Sequence, residues 1–323
     1  MNKVINFYKR NLKEILRDPI IYIFCLGFPI AMFLLFYIIN KFSNGNTPTF
    51  EVLSLLPGII VFSYSFVMLT LAIIVSKDKQ TFFLKRLYSS PMKSYHFILG
   101  YFLVGLFIGL LQTLVCVITG FIISLLSNVG FVSIGNILLL IIAQLPILIT
   151  NIFLGILFGT IFNDKSAPGI CSVFISLAGI LGGCWMPIET MGGFETFCRF
   201  LPFYPSVYIG RIITNSTNAL GITYSFNDVA SLGLIPISLF MIVGIFLAII
   251  VFKKIYSPFS KGLSIGILMI MTSRVSCTGH SADAGIHTEF KTFRVYIVGN
   301  CFHTVREFFR MRNQSTVFVT LLF

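Results

Sequence analysis

The chain has 323 residues, of which 56% are hydrophobic and only 11% are charged, whereas a soluble domain is typically about 45–50% apolar and about 25% charged. A water-soluble chain could not cover so much apolar surface, so the composition excludes a soluble enzyme, a secreted disulfide scaffold and a disordered regulator. The net charge of +12 does not indicate nucleic-acid binding, because the basic residues lie between long apolar runs. The sequence therefore predicts an all-α, polytopic membrane protein.

Six apolar runs are long enough to cross a bilayer as helices, since about 20 residues span the hydrocarbon core. The third and fourth runs share an uncharged stretch between His96 and Asp164, which the turn residues Ser127-Asn128-Val129-Gly130 divide. None of the six runs contains Asp, Glu, Lys, Arg or His. The predicted transmembrane helices are residues 20–39, 53–75, 98–126, 137–162, 168–186 and 232–252.

Lys and Arg are distributed unevenly between the segments that connect these helices. The N-terminal segment, the loops after the second and fourth spans and the stretch after the sixth carry five, five, one and three, fourteen in all. The loops after the first, third and fifth spans carry only three, among them Arg211. By the positive-inside rule, both termini face the cytoplasm and the protein is a multi-pass protein of the cell membrane.

The pattern of apolar and charged side chains in residues 1–19 predicts an amphipathic helix that lies in the cytoplasmic membrane interface. At about 100° per residue, six apolar side chains share one arc of about 120°, and every charge before Pro19 lies on the other side. Phe7 lies off this arc, among the charges. A plain basic anchor with no mechanical role is the alternative. The predicted interfacial face consists of Val4, Ile5, Tyr8, Leu12, Ile15 and Leu16.

The loop after the second span combines Lys and Arg with large apolar side chains that a plain turn would not expose to water. Its apolar residues recur at helical spacing, which predicts a short helix with an apolar ridge and a basic border. Such a ridge fits a groove on a partner protein, and a helix that touches only lipid is the alternative. The candidate residues are Thr81, Phe82, Phe83, Leu84, Lys85, Arg86, Leu87, Tyr88 and Pro91.

Residues 187–231 are too apolar for a solvated loop and too interrupted by proline to span the membrane. They predict short re-entrant or interfacial helices on the outer side, between the fifth and sixth spans. Glu189 faces either an exit path or solvent. The predicted outer gate consists of Trp185, Pro187 and Glu189.

The predicted membrane interior is polar in places but uncharged, which argues against a carrier that binds a coupling ion at depth. Its amides hydrogen-bond neighbouring helices or line a substrate path; the candidates are Gln112, Gln144 and Asn151. We expect no catalytic residue and no metal site, because no suitable cluster of His, Cys, Asp or Glu occurs in the spans. The chain also lacks a G-x-x-x-x-G-K-[ST] motif, so we expect any ATPase to be a separate polypeptide.

Three groups of residues occur in an order that resembles permease subunits of ABC-2 type exporters, over residues 1–257. Leu16-Arg17-Asp18-Pro19 with Gly27-Phe28-Pro29 is similar to the opening of that family. Thr81 with Lys85-Arg86-Leu87 and Ser90-Pro91 is similar to its first cytoplasmic loop, and Gly182-Gly183, Trp185 to Glu189 and Leu201-Pro202 to its outer segment. The loop departs from the family pattern at Lys77-Asp78-Lys79-Gln80, where the family usually carries a more acidic run and a glycine.

The resemblance implies a six-helix ABC-2 type transmembrane domain over residues 20–257, with the helix of residues 1–19 before it. It implies that the first loop is a coupling helix seated in a groove of an ABC ATPase subunit, which binds ATP and Mg. It further implies a second permease subunit, identical or different, and export of a hydrophobic or amphipathic drug, peptide or lipid-like molecule. The expected partners are thus the ATPase, the second permease and membrane lipid, without nucleic acid and without a cofactor in this chain.

Two questions stay open at this point. An ATP-independent immunity or scaffold protein that binds a hydrophobic peptide is the alternative function. Residues 258–323 form an atypical cytoplasmic tail that does not fit the family pattern, with six Lys and Arg and no long apolar run after Lys261. A fusion, a shifted reading frame or a readthrough product would explain such a tail, and we expect it to be dispensable.

Overall fold

The computed structural model describes residues 2–42, 48–81, 94–127, 130–218, 221–225 and 234–254. Within these segments the regular elements are helices, and one isolated bridge joins Thr217 and Thr223. The all-α prediction is thereby confirmed for the described residues. The predicted tail, residues 258–323, lies outside them.

Besides two 3₁₀ turns, Pro48–Phe50 and Ile188–Thr190, nine helices occupy the described segments. α2 passes through a π turn at Ile23–Gly27, between the α-helical pieces Pro19–Tyr22 and Phe28–Phe42. The other helices are α1 (Asn2–Ile15), α3 (Val52–Gln80), α4 (Ser94–Ser127), α5 (Ile134–Ile161), α6 (Ala167–Leu181), α7 (Gly193–Arg199), α8 (Phe203–Ile213) and α9 (Leu234–Lys254). The break predicted after Ser127 is confirmed by the end of α4 and the start of α5.

Five of these helices, α2, α3, α4, α5 and α9, are long and apolar enough to cross a membrane. α6 coincides with the predicted fifth span but has only 15 residues. At about 1.5 Å per residue it is about 22 Å long, shorter than the hydrocarbon core of about 30 Å. A crossing by α6, and with it the count of six spans, stays a prediction.

α3 is the central helix of the protein. Nearly every side chain between Val52 and Ser76 is buried, and the helix packs against α2, α4, α5, α6 and α8. Its sequence is apolar on all sides, which is the pattern of a helix surrounded by others. Both ends of α3 are therefore in contact with several other helices.

Two glycines allow α5 to approach α3 closely. A Cβ atom on Gly155 would lie 2.6 Å from the carbonyl oxygen of Met68, and a Cβ atom on Gly159 would lie 2.7 Å from that of Ala72. The spacing of four residues puts both glycines on one face of α5. This contact is the close backbone packing that small residues permit between transmembrane helices.

The outward faces of α2, α4 and α9 carry many exposed large apolar side chains. Leu125, Ile242 and Phe246 are each more than 60% exposed. Soluble monomers rarely expose so many large apolar side chains on neighbouring helices. The surface therefore fits a protein that lies in lipid.

Candidate functional site

α1 is fastened to α4 by a row of buried side chains spaced four residues apart, Phe7, Asn11 and Ile15. The Phe7 ring packs edge-on against two aromatic rings of α4, with centroids 5.4 Å from Phe97 and 5.0 Å from Tyr101. Such edge-to-face pairs add to the free energy gained from burial alone. The buried row of α1 therefore shares Ile15 with the predicted apolar arc, but Phe7 and Asn11 lie outside that arc.

The residues of the predicted interfacial face are divided between the protein and its surroundings. Ile15 is buried, Val4, Tyr8 and Leu12 are half-buried, and Ile5 and Leu16 are exposed. α1 thus has one side against α4 and an adjoining apolar side open to its surroundings. Its position in a membrane interface stays a prediction.

A buried carboxylate lies at the C-terminal end of α3. Asp78 is 2% exposed and accepts two hydrogen bonds from Arg10 of α1, at 2.8 Å to Oδ1 and 3.1 Å to Oδ2. The hydroxyl of Tyr101, on α4, donates to Oδ2 at 2.6 Å. A paired Arg–carboxylate contact of this kind is among the strongest hydrogen-bonded ion pairs. Asp78 therefore joins three helices at one point.

Burial disfavours the charge of Arg10, but its hydrogen bond to Asp78 and the negative charges of Asp78 and Glu14 raise the pKa of Arg10 above its usual value. The guanidinium thus stays charged. Glu14 accepts a further hydrogen bond from Arg10 at 3.1 Å, in a pair whose side chains are 35% and 42% exposed. Exposed pairs of this type contribute little to stability, so the contact with Asp78 is the important one.

The residues on either side of Asp78 also bind neighbouring elements. The Nζ atom of Lys77 lies 3.8 Å from Oδ2 of Asp18, just before α2. Lys79 donates to the carbonyl oxygens of Thr160 at 2.9 Å and Ile161 at 3.2 Å, at the end of α5. A cation at a helix C-terminus satisfies free carbonyl groups and interacts favourably with the helix dipole. We name Lys77, Asp78 and Lys79 the loop root.

Thr81 follows the loop root and ends α3. Its backbone N–H and its hydroxyl both donate to the carbonyl oxygen of Lys77, each at 3.0 Å. Of the predicted coupling residues, Thr81 is therefore attached to the loop root. The others, Phe82, Phe83, Leu84, Lys85, Arg86, Leu87, Tyr88 and Pro91, lie outside the described residues.

A second buried ion pair organises the opposite end of α3. Arg211 of α8 is 1% exposed, and its Nη1 atom lies 3.1 Å from Oε1 of Glu189, which is 10% exposed. Arg211 also donates to the hydroxyl of Tyr224 at 3.2 Å, and that hydroxyl donates to Glu189 at 2.7 Å. Burial raises the pKa of Tyr224, so its phenol keeps the proton that this hydrogen bond needs.

Arg211 binds backbone as well as side chains. It donates to the carbonyl oxygens of Gly183 at 2.8 Å and Ser54 at 3.3 Å. Gly183 has a φ of +61°, a left-handed conformation that glycine adopts without strain. We name Arg211, Glu189, Tyr224 and the carbonyl groups of Gly183 and Ser54 the outer lock, because they join α3, the end of α6 and α8 on the side that the charge distribution predicts to be the outer one.

A proline in α3 makes possible a further contact between α3 and the end of α8. Pro57 has no N–H, so the carbonyl group of Leu53, one turn earlier, lacks its usual partner within the helix. The hydroxyl of Thr214 donates to that oxygen at 2.9 Å. The hydrogen bond that the proline removes thus leaves an acceptor free for the residue that follows α8.

Of the predicted gate residues, Glu189 belongs to the outer lock, and Trp185 and Pro187 are close to it in the sequence. The Trp185 ring packs edge-on against Phe62 at 4.7 Å and is stacked on Phe36 at 5.9 Å. It covers Gly179, where a Cβ atom would lie 2.6 Å from the indole. Pro187 is half-buried and directly precedes the turn Ile188–Thr190, which contains Glu189. Glu189 is thus bonded within the protein, and the gating role of these residues stays a prediction.

The predicted path residues are buried between helices of this chain. Gly109 of α4 packs against Leu148 of α5, and Gly105 packs against Ile152, so the two helices run in opposite directions. Gln112 follows Gly109 by about one turn and Gln144 precedes Leu148 by about one turn, so the two amides lie at similar depth. Gln144 donates to the carbonyl oxygen of Ser206 at 3.0 Å. Neither amide atom of Gln112 has a hydrogen-bond partner among the described residues.

Asn151 is the third of these residues. Its amide donates to the carbonyl oxygen of Ile147 at 2.9 Å, within α5. The path-lining assignment of all three stays a prediction. Within the residues that the structure describes, no group of three His, Cys, Asp or Glu side chains is placed to hold a metal ion.

These features define a multi-pass helical membrane protein whose central helix is tied at both ends to the surrounding elements. Comparison with known families matches residues 3–215 to the ABC-2 type transporter family. The match covers roughly two thirds of the 323 residues, and the chain belongs to this family of transporter permeases. A search of curated proteins finds no match. The resemblance seen in the sequence is thereby confirmed.

Proposed function

We propose that the protein is the permease subunit of an ATP-driven exporter, coupled to a separate ATPase through the loop that begins after Thr81. The observation that carries this proposal is the loop root. A plain connector needs no contacts that fix its first residues in place. The residues of the loop root nevertheless bind α1, α4, α5 and Asp18 just before α2. Force applied to the loop would reach most of the bundle.

The proposed topology follows the charge distribution. The loop root and both termini face the cytoplasm, α6 is a short sixth crossing, and the segment from Gly182 to Ile213 is re-entrant on the outer side. The contacts of α8 support this arrangement. Ser206 lies at the depth of Gln144, near the middle of α5, whereas Thr214 binds Leu53 at the start of α3. α8 thus begins inside the bundle and ends at its outer surface.

The complete transporter on this proposal has two permease subunits and two ATPase subunits, which bind ATP and Mg. The cargo is hydrophobic or amphipathic. An apolar groove of about 340 Å³ between α2 and α4 has the same apolar character as this class of cargo, on faces that also fit lipid. The groove is lined by Ile30, Leu34, Val115, Ile118, Thr119, Ile122, Ile123 and Leu126.

The coupling assignment is tested by replacing Phe83 and Leu87 with Asp and isolating the chain from its native membrane. Unpaired carboxylates on the apolar ridge would prevent its burial in a groove of the ATPase. We expect membrane insertion to be unchanged and co-purification of the ATPase to be lost. The matched control is Ile222→Asp, which adds a carboxylate at a position that is 61% exposed in the outer segment.

Two results would contradict the proposal. Unchanged co-purification in the Phe83→Asp/Leu87→Asp variant would contradict the coupling assignment. Recovery of the unmodified chain without any protein that contains a phosphate-loop motif would instead favour the ATP-independent binding protein.

A further inference from the structure

Each residue of the loop root binds a different neighbour, but the three contacts differ in strength. Lys77 and Asp18 are 3.8 Å apart, and their side chains are 43% and 28% exposed. Exposed pairs at such distances contribute about 0–1 kcal/mol. Asp78 is buried, doubly bonded to Arg10 and bonded to Tyr101. Asp78 is therefore the residue that holds α1 and α4 to the end of α3.

The last residues of α3 connect Asp78 directly to the start of the proposed coupling loop. Less than one helical turn separates it from Thr81, whose hydroxyl binds the carbonyl oxygen of Lys77. A displacement of the loop cannot move Thr81 without moving Asp78, because hydrogen bonds of the same helix connect them. α1 follows Asp78 through Arg10 and through the packing of Phe7 beside Tyr101.

We propose that Asp78 is a positioning residue that makes the helix α1 move together with the coupling loop when the ATPase subunits bind nucleotide. This proposal rests on the proposed function, since it needs an ATPase that moves the loop. It names the contacts through which α3 would move α1. The Asp78 carboxylate binds Arg10 of α1, and the hydroxyl of Tyr101 keeps that carboxylate in position.

The test measures the accessibility of α1 in the complete complex of the full-length chain with its ATPase. A thiol is introduced by Lys13→Cys, at an exposed position of α1. The cysteines at 25, 116, 171, 184 and 198 are buried, and Cys277 and Cys301 are replaced by Ser. The rate of reaction with a water-soluble maleimide is measured without nucleotide and with ATP and vanadate, in this reference chain and in each variant made from it.

We expect nucleotide to change the labelling rate of the reference chain several-fold. In Asp78→Asn the change should be lost while the ATPase still co-purifies, because the Asp78 side chain is buried within this chain. The matched control is Glu14→Gln, which removes an exposed ion pair of the same Arg10 and should leave the change intact. The charge exchange Arg10→Asp with Asp78→Arg should restore part of it.

Tyr101→Phe provides a second variant that retains the ion pair and the ring packing, so that poor folding of Asp78→Asn does not decide the outcome. It should reduce the nucleotide-dependent change without altering co-purification. A full response in Asp78→Asn or Tyr101→Phe, or no response in the reference chain when the ATPase is bound, would overturn the inference alone. Absence of an ATPase from the reference complex would overturn the proposed function and this inference with it.

Discussion

Replacement of Arg211 by methionine is the most direct test of what stabilises the segment from Gly182 to Ile213. Methionine retains a long unbranched side chain but donates no hydrogen bond. The substitution leaves Glu189 with a buried charge and without its cation, and it leaves the carbonyl groups of Gly183 and Ser54 without the donor they have in the outer lock.

The expected loss of stability follows from the burial of the pair. The two side chains are 1% and 10% exposed, and removal of one partner of a buried ion pair costs about 3–5 kcal/mol. In domains of about 150–250 residues each 1 kcal/mol lowers the unfolding midpoint by roughly 2–4 °C. Arg211→Met should therefore lower the midpoint by roughly 10 °C.

Trp185 is the only tryptophan in the sequence, and it lies two residues after Gly183. Its fluorescence during heating in detergent thus reports unfolding of the outer segment. The control is Arg199→Met, since Arg199 is 40% exposed in its pair with Glu195 and such pairs are worth about 1 kcal/mol or less. Adding Glu189→Gln to Arg211→Met removes the unpaired charge, so the double variant should regain part of the loss.

A midpoint for Arg211→Met within the small shift of Arg199→Met would refute the argument. It would show that the outer lock is hydrated or already open in detergent. Strict additivity of Arg211→Met and Glu189→Gln would contradict a direct interaction between the two charges.

Three further predictions concern the bundle and the tail. Gly155→Ala forces a methyl group against the Met68 backbone and should cost about 1–3 kcal/mol, whereas Gly169→Ala, with open space around it, should be tolerated; equal midpoints would contradict the close contact of α3 and α5. Gln112→Leu removes two buried amide atoms that have no partner among the described residues and should raise the free energy of unfolding by about 1–3 kcal/mol, and the midpoint with it; a lower midpoint would show that the amide has a partner. A chain that ends at Lys261 should co-purify with the ATPase in normal yield, and loss of the complex would show that the tail is needed.

The long helices were predictable because each depends on a local property of the sequence. A run of about 20 apolar residues forms a helix in lipid whatever its neighbours are, and the polar turn after Ser127 was enough to separate α4 from α5. The length of α6 was not predictable from apolarity, since Gly182 to Trp185 are as apolar as a helix but form turns around Gly183.

The contacts of the candidate sites depend on residues that are far apart in the sequence. Arg10 and Asp78 are 68 positions apart, and no periodicity connects them. The charge distribution places Arg211 in an outer loop, yet its side chain is buried against Glu189, which lies 22 positions earlier. One signal was available: Phe7, Asn11 and Ile15 recur every four residues, which indicates a second buried face on α1.

The π turn at Ile23–Gly27 has a consequence for comparing related sequences. In this turn the N–H of Phe28 binds the carbonyl oxygen of Ile23, five residues earlier, so the first span contains one residue more than a regular helix of the same length would need. Deleting a single residue here would restore α-helical bonding and leave the flanking faces in register. Relatives of this chain can therefore differ by a one-residue gap at this place, ahead of Pro29, without rotating the remainder of the span.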